Sequence, residues 1–164
     1  VDSVEHGFTL DTELVKAMVE NNIFYVPTLT VFEYHRNPGV DRHFQEYCKQ
    51  MHPKHLESVK LAIDSGVKIA TGSDASGWGT GLNARELELL VEVGMSPMEA
   101  IQSATSMAAE CIGMKDYVGR LEPGMLADIL AVKGDPLDDI RILQYKDNIK
   151  LVIKDGRAFS FGGN

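Results

Sequence analysis

Apolar positions along the chain alternate between two rhythms. Short strand-like runs at Val1–Val4, Ile23–Val26 and Val67–Ala70 each stop abruptly, the first at Glu5-His6-Gly7, the second at Pro27 and the third at Thr71-Gly72-Ser73-Asp74. Between and after them, apolar residues recur at helical spacing. Leu10, Leu14, Ala17 and Met18 form one stripe, with Asp11 as its N-cap and Asn21-Asn22 as its end. Leu56, Val59 and Ile63 form another, in a helix that starts at Pro53 and closes at Ser65-Gly66. Leu87, Leu90 and Val91 follow in a helix from Asn83. Ser96-Pro97-Met98-Glu99 is a capping box with Pro at the first helical position, and it opens a helix to about Ile112 on Ala100, Ile101, Ala104, Ala108 and Cys111. Residues 28–52 mix aromatic, His and Pro residues without a clean period, which predicts a long loop with a short helix near Phe44–Gln50.

Beyond Gly113 the character changes. Glu122-Pro123-Gly124 reads as a type II turn, Ala127–Val132 as a strand, and Asp135-Pro136 as the cap of a short helical turn. Ile149–Lys154, Asp155-Gly156 and Arg157–Phe161 form a hairpin with a type I′ signal. The predicted order is β-α-β-α-β-α-α followed by a mostly β tail. Strands separated by helices argue a parallel sheet and an α/β fold, with the tail as a small separate β layer.

Composition narrows the partners. The 164 residues are 44% apolar and 24% charged, as expected of a soluble globular chain. Sixteen basic against twenty-four acidic residues give a net charge of −8, so there is no basic footprint for nucleic acid or an anionic membrane. No apolar run reaches the roughly 18 residues of a membrane span. Cys48 and Cys111 have no metal-like spacing and read as reduced, largely buried thiols, which leans toward a cytoplasmic compartment. No G-x-G-x-x-G or Walker lysine motif is present, which argues against a nucleotide-binding domain.

His6 and Asp74 are the strongest chemical candidates. Each lies just past a strand-like run with a helical segment following, the placement of catalytic side chains on the rim of a parallel α/β barrel. Ser73 reads as a turn residue, because no G-x-S-x-G elbow surrounds it. His52 and His55, flanked by Pro53, Lys54 and Lys60, read as a solvated helix face. Tyr25, Tyr34, His35, Arg36 and His43 lie in or beside the loop expected to overhang the site, where Arg36 could pair with a substrate carboxylate. Trp78, among Gly72, Gly77, Gly79 and Gly81, could wall the pocket. The opening on Val1, directly at a strand, suggests that an upstream half exists elsewhere.

The segments VDSVEHG, IATGSDASG, SPMEAIQSATSMAAECIGM, VGRLEPGMLADILAVKGDPLDDI and IKLVIKDGRAF occur in series over nearly the whole chain. Together they resemble the C-terminal half of a metal-dependent amidohydrolase, in the imidazolonepropionase-like and Xaa-Pro-dipeptidase-like branch. The resemblance implies a distorted (β/α)8 barrel plus a β-sandwich built from both chain ends. Residues 1–117 would supply barrel strands six to eight with their helices, and residues 118–164 the C-terminal part of the sandwich. The family's metal centre uses an H-x-H pair after the first strand, a carboxylated Lys or an acid after the fourth, one His after each of the fifth and sixth, and an Asp after the eighth. His6 matches the sixth-strand His and Asp74 the eighth-strand Asp; no H-x-H occurs in this chain.

What the resemblance implies for function is hydrolysis of amide or peptide C–N bonds with one or two Zn²⁺, which acidify water. His6 would be a metal ligand; Asp74 would be a ligand and the general base that moves a proton to the leaving nitrogen. Substrates would be small amides or dipeptides, and the chain alone would be inactive. Unpaired strand edges imply self-association or pairing with a separately supplied N-terminal half. The alternative reading is a non-enzymatic, metal-free α/β binding or assembly module, favoured by the missing H-x-H.

Overall fold

The computed structural model describes residues 1–37, 41–75 and 81–159. Its first layer is parallel. β1 (Ser3–Glu5) pairs with β2 (Phe24–Val26), with Ser3 opposite Phe24 and Glu5 opposite Val26. On the other side of β2 the Val67–Ala70 run joins through a parallel bridge between Tyr25 and Ile69. Tyr25 N donates to Lys68 O at 2.8 Å and Ala70 N to Tyr25 O at 3.0 Å. This third run is a single bridge rather than the full strand expected. The chain leaves the sheet at Thr71, whose amide donates to Ser103 O at 2.9 Å instead of continuing the ladder.

α1 (Thr12–Glu20) links β1 to β2. Asp11 caps it as expected, accepting from Leu14 N at 2.8 Å, and Asn21 ends it. Its Val15 and Met18 face the sheet and are buried. The predicted loop at 28–52 is instead mostly helical. α2 (Leu29–His35) follows β2 directly, and α3 (Arg42–Asp64) runs for 23 residues straight through Pro53. Pro53 lies on the exposed face of α3. Cys48, His52, His55, Val59 and Ala62, spaced alternately four and three residues apart, are all buried. That spacing is one helix face, so His52 and His55 belong to the buried stripe and not to a solvated face.

α4 (Arg85–Val93) carries Leu87, Leu89 and Leu90 inward. The capping box holds α5 (Pro97–Ser103), with Ser96 and Glu99 bonded reciprocally. The helix expected to reach Ile112 breaks there, and α6 (Ser106–Cys111) is separate. The break has a tertiary cause: Ser103 O accepts from Thr71 N, while the Ser103 and Thr105 hydroxyls donate to Ala100 O and Ile101 O. Such local side-chain bonds compete with the helical ladder.

The tail forms the expected β layer, an antiparallel sheet in the order β3-β4-β5. β3 (Ile129–Val132), β4 (Ile149–Lys154) and β5 (Arg157–Phe159) make it up. Asp155 and Gly156 both have positive φ, 50° and 72°, as a type I′ hairpin turn requires. Phe161, placed in this hairpin from sequence, lies outside the described residues. Met125 N donates to Glu122 O at 3.2 Å and Gly124 has φ 93°, which closes the expected turn.

The main core joins Val15, Met18, Tyr25, Leu29, Val59, Ala62, Ile69, Leu87, Leu90 and Ala100. Burying each large apolar side chain there contributes roughly 1.5–3 kcal/mol. A second cluster of Val31, Phe32 and Cys48 has Phe8 packed against it. Among the described residues, no helix is long and apolar enough to cross a membrane, and Cys48 and Cys111 are free thiols.

Candidate active site

The three adjacent parallel runs deliver His6, Thr28 and Asp74 to the same edge of the sheet, each a few residues past its carboxyl end. All three have positive φ, at 67°, 56° and 49°. Side chains other than Gly rarely accept this backbone region, and β-branched Thr least of all. Such conformations persist only where neighbours over-determine them.

His6 is the best determined. Its amide donates to Val26 O at 2.9 Å, and its Nδ1 lies 2.7 Å from Thr28 Oγ1. The ring stacks on Phe8 at 9° between planes and meets the edge of Phe32 at 6.0 Å. Tyr25 fixes the backbone from below, its hydroxyl donating to both His6 O at 2.8 Å and Gly7 O at 3.0 Å. Burial, with the Glu86 charge nearby, pushes the Tyr25 pKa up. Tyr25 is wholly buried and its hydroxyl is committed to backbone, so within this chain it touches the His6 turn rather than open space.

Asp74 is exposed at the end of the third run. Beside it, Ser73 Oγ donates to Asn83 Oδ1 at 3.1 Å and accepts from Ala75 N at 3.3 Å, the bonding of a turn residue. Lateral spacing between neighbouring strands is about 4.8 Å, which puts the backbones of the first and third runs roughly 10 Å apart. His35 sits in the last turn of α2 with its ring 5.1 Å from Phe44. Arg36 follows as the C-cap and pairs with Glu33 at 3.7 Å. These two therefore lie at the far end of α2 from His6. Trp78 lies outside the described residues.

Sequence reasoning passed over several groups that shape the site. Glu86, on α4, is wholly buried, and its carboxylate accepts from Leu29 N, Thr30 N and Thr30 Oγ1. Burial pushes its pKa up to about 7, against the lowering effect of those hydrogen bonds. His55 is buried edge-on to Phe8 and Phe32, 5.2 Å from each. Among the described residues, neither of its ring nitrogens finds a hydrogen-bond partner of ordinary geometry. Burial drives its pKa down to about 4, with smaller upward pulls from the His6 and Pro27 backbone. The signal that could have found both is helical phase. Glu86 precedes Leu89 and Leu90 by three and four residues, and His55 precedes Val59 by four.

The fold and its carboxyl-edge side chains define a class, an α/β chain with the strand-end chemistry of a (β/α)8 barrel. The sequence profile of the amidohydrolase family matches residues 1–159, and the chain belongs to that family. It is similar to ochratoxinase from Aspergillus niger, at 34% identity over 98% of this chain and 34% of the ochratoxinase. Among solved structures it is similar to an Xaa-Pro dipeptidase with methionine bound in its active site. There the TM-score is 0.87 and the identity 38%, over 97% of this chain and 40% of that one. A prolidase solved with N-methylphosphonate-L-proline matches at TM-score 0.90 and 29% identity, over 97% of this chain and 40% of the prolidase. The chain thus spans about a third of the ochratoxinase and two-fifths of the dipeptidase.

Proposed function

We propose that this chain carries the sixth- and eighth-strand side of the active site of a metal-dependent hydrolase of amide or peptide C–N bonds, with small dipeptide-like substrates. One arrangement supports this above all: His6 and Asp74 leave the two parallel runs that flank β2 at the same edge, with the His6 ring held through Nδ1. The residue types fit a divalent metal. A His that gives one ring nitrogen to a hydrogen-bond partner presents the other as a ligand, and Asp adds an oxygen donor that Zn²⁺ accepts. Bound metal supplies Lewis-acid polarisation of the scissile carbonyl and acidifies water.

The protein groups do the rest. In the tautomer that donates Nδ1–H to Thr28 Oγ1, the His6 Nε2 lone pair is free to meet a metal. Asp74 takes the proton of the attacking water and returns it to the leaving nitrogen. Tyr25 holds the His6–Gly7 backbone in place. Arg36 and His35, with Trp78, are the proposed substrate contacts. Arg36 would leave its pairing with Glu33 to meet a substrate carboxylate.

A catalytic zinc normally takes about three protein ligands. Among the described residues no group of three or more His, Cys, Asp or Glu could hold a metal. The remaining ligands of this proposal come from outside those residues, from further polypeptide or a second copy. The isolated chain is accordingly inactive and associates. The likeness to a dipeptidase, a prolidase and an ochratoxinase supports amide or peptide substrates.

The test is zinc content per chain by elemental analysis, after purification without chelator and incubation with excess Zn²⁺. Tightly held zinc that is lost in both His6→Ala and Asp74→Ala is the expected result. Zinc held indifferently to both substitutions would overturn the assignment of His6 and Asp74 as ligands; no retained zinc would mean that the function belongs to the protein completed by further polypeptide.

A further inference from the structure

We propose that Glu86 is a positioning residue for His6, acting through Thr28. The starting point is an inversion of ordinary helix capping. Thr28 is the N-cap of α2, where a Thr hydroxyl normally accepts from the amides of the first turn. Here it makes no capping bond. The first-turn amides of α2 are satisfied from another helix: Leu29 N donates to Glu86 Oε1 at 2.7 Å and Thr30 N to Glu86 Oε2 at 2.7 Å. Thr30 Oγ1 adds a third bond to Oε2 at 2.6 Å.

Glu86 thereby relieves Thr28 of its usual task. The hydroxyl is released toward the sheet edge, where it meets His6 Nδ1 at 2.7 Å. The same bonds fix the two residues that follow Thr28, which keeps its backbone at φ 56°, a conformation a β-branched residue does not hold unaided. Arg85, the preceding residue, grips Glu33 further along α2 with Nε and Nη2 at 2.9 and 2.7 Å. Two consecutive residues of α4 therefore clamp α2, one at its N-terminus and one along its length.

The consequence concerns which nitrogen of His6 carries the proton. In the assigned tautomer Nδ1–H donates to Thr28 Oγ1, which leaves the lone pair on Nε2. Without an acceptor on α4, the Thr30 amide at the second helical position would draw the Thr28 hydroxyl, with Thr28 relaxing to extended backbone, into the ordinary capping bond, and His6 would lose its partner. The value of this relay to catalysis rests on the reading of His6 as a metal ligand. Its existence does not.

The experiment is ¹⁵N NMR of the imidazole rings in the ¹⁵N-histidine-labelled chain at pH 8, where ordinary imidazoles are neutral. His6 of the unsubstituted chain is expected as the Nδ1–H tautomer. Glu86→Gln keeps the volume but turns one acceptor into a donor; in it the His6 Nδ1 signal should move from the protonated toward the unprotonated position. Thr28→Val should do the same. If Glu86→Gln does not fold, Thr30→Val, which removes only the hydroxyl bond to Glu86, should give a smaller shift in the same direction. An unchanged His6 tautomer in a folded Glu86→Gln or Thr30→Val chain would overturn the proposal. So would an Nε2–H tautomer in the unsubstituted chain.

Zn²⁺ is then added separately. If it leaves the His6 signals of the unsubstituted chain untouched while the tautomer responses hold, this chain does not assemble a metal site by itself and the relay stands. If Zn²⁺ binds, its affinity should fall roughly 10-fold or more in Glu86→Gln; undiminished affinity would overturn the proposal.

Discussion

The Tyr25 hydroxyl donates to the His6 carbonyl oxygen across 2.8 Å, so the turn presenting His6 is tied to the most buried strand of the sheet. Tyr25→Phe removes this bond and the one to Gly7 O without changing the shape of the ring. It leaves two carbonyls on the buried side without their donor. A loss of about 1–2 kcal/mol in urea unfolding is expected, together with weaker zinc retention. Stability and zinc retention both unchanged would show that the tie does not set the turn.

Gly7 is bound to the same ring by sterics. A Cβ there would fall 2.7 Å from Tyr25 Cε2, and its φ of 54° already disfavours any L side chain. The neighbour is a packed aromatic ring in the core, with no room to swing away. Gly7→Ala should therefore destabilise by about 2 kcal/mol or more, combining strain and overpacking. Thermal unfolding of the purified variant checks this, and a midpoint within a degree of the parent would refute it.

Glu86 and His55 make opposing contributions to the pH dependence of stability. The carboxyl of Glu86 is raised from 4.5 to about 7, so the folded chain keeps a proton that the unfolded chain releases. Its contribution is fully present below 4.5 and is lost as pH rises through about 7. His55 is lowered from 6.5 to about 4, so its contribution is present above 6.5 and is lost as pH falls toward 4. Each is on the order of 3 kcal/mol across its window. Between pH 5 and 6.5 the two oppose one another, so urea stability of the parent changes little from this pair. Glu86→Gln removes the falling component, and its stability should climb over that interval. Parallel pH profiles for parent and variant would refute the assignment.

These predictions also mark what the sequence made legible. His6 and Asp74 stand out because strand-like runs end on them, and the described structure sets those runs on either side of β2. The Asp155-Gly156 turn and the Ser96–Glu99 capping box were readable because their conformations are dictated by residues a few positions apart. The stretch 29–64 was not, because its helices are set by tertiary burial. His52 and His55 counted as polar when read singly, yet they continue the stripe of Cys48, Val59 and Ala62. Pro53 suggested a helix start, although a long helix with a packed face tolerates it on the exposed side. The break after Ser103 depends on Thr71, 32 residues earlier, which no local pattern announces. Glu86 was hidden for the same reason, since its three donors come from residues more than fifty positions away.

Association is the last expectation, and it follows from surface that the chain leaves open. Among the described residues β1 pairs only with β2, and β3 is an edge of its sheet. Between α4, α5 and β3 lies a largely apolar cavity of about 500 Å³, lined by Leu87, Ile101, Leu121, Ile129, Leu130 and Leu143. Leu121 is 77% exposed at its rim and Leu130 is 52% exposed. Open strand edges and contiguous apolar surface both favour pairing with another chain. Light scattering coupled to size exclusion should give a mass above 18.1 kDa that rises with concentration. Leu121→Lys with Leu130→Lys places two charges on that rim and should lower the apparent mass without changing far-UV circular dichroism. A parent chain that runs as a monomer across the accessible concentration range would refute self-association. Mixing it with a polypeptide covering the upstream part of a related amidohydrolase would then test whether it pairs with a separately supplied half.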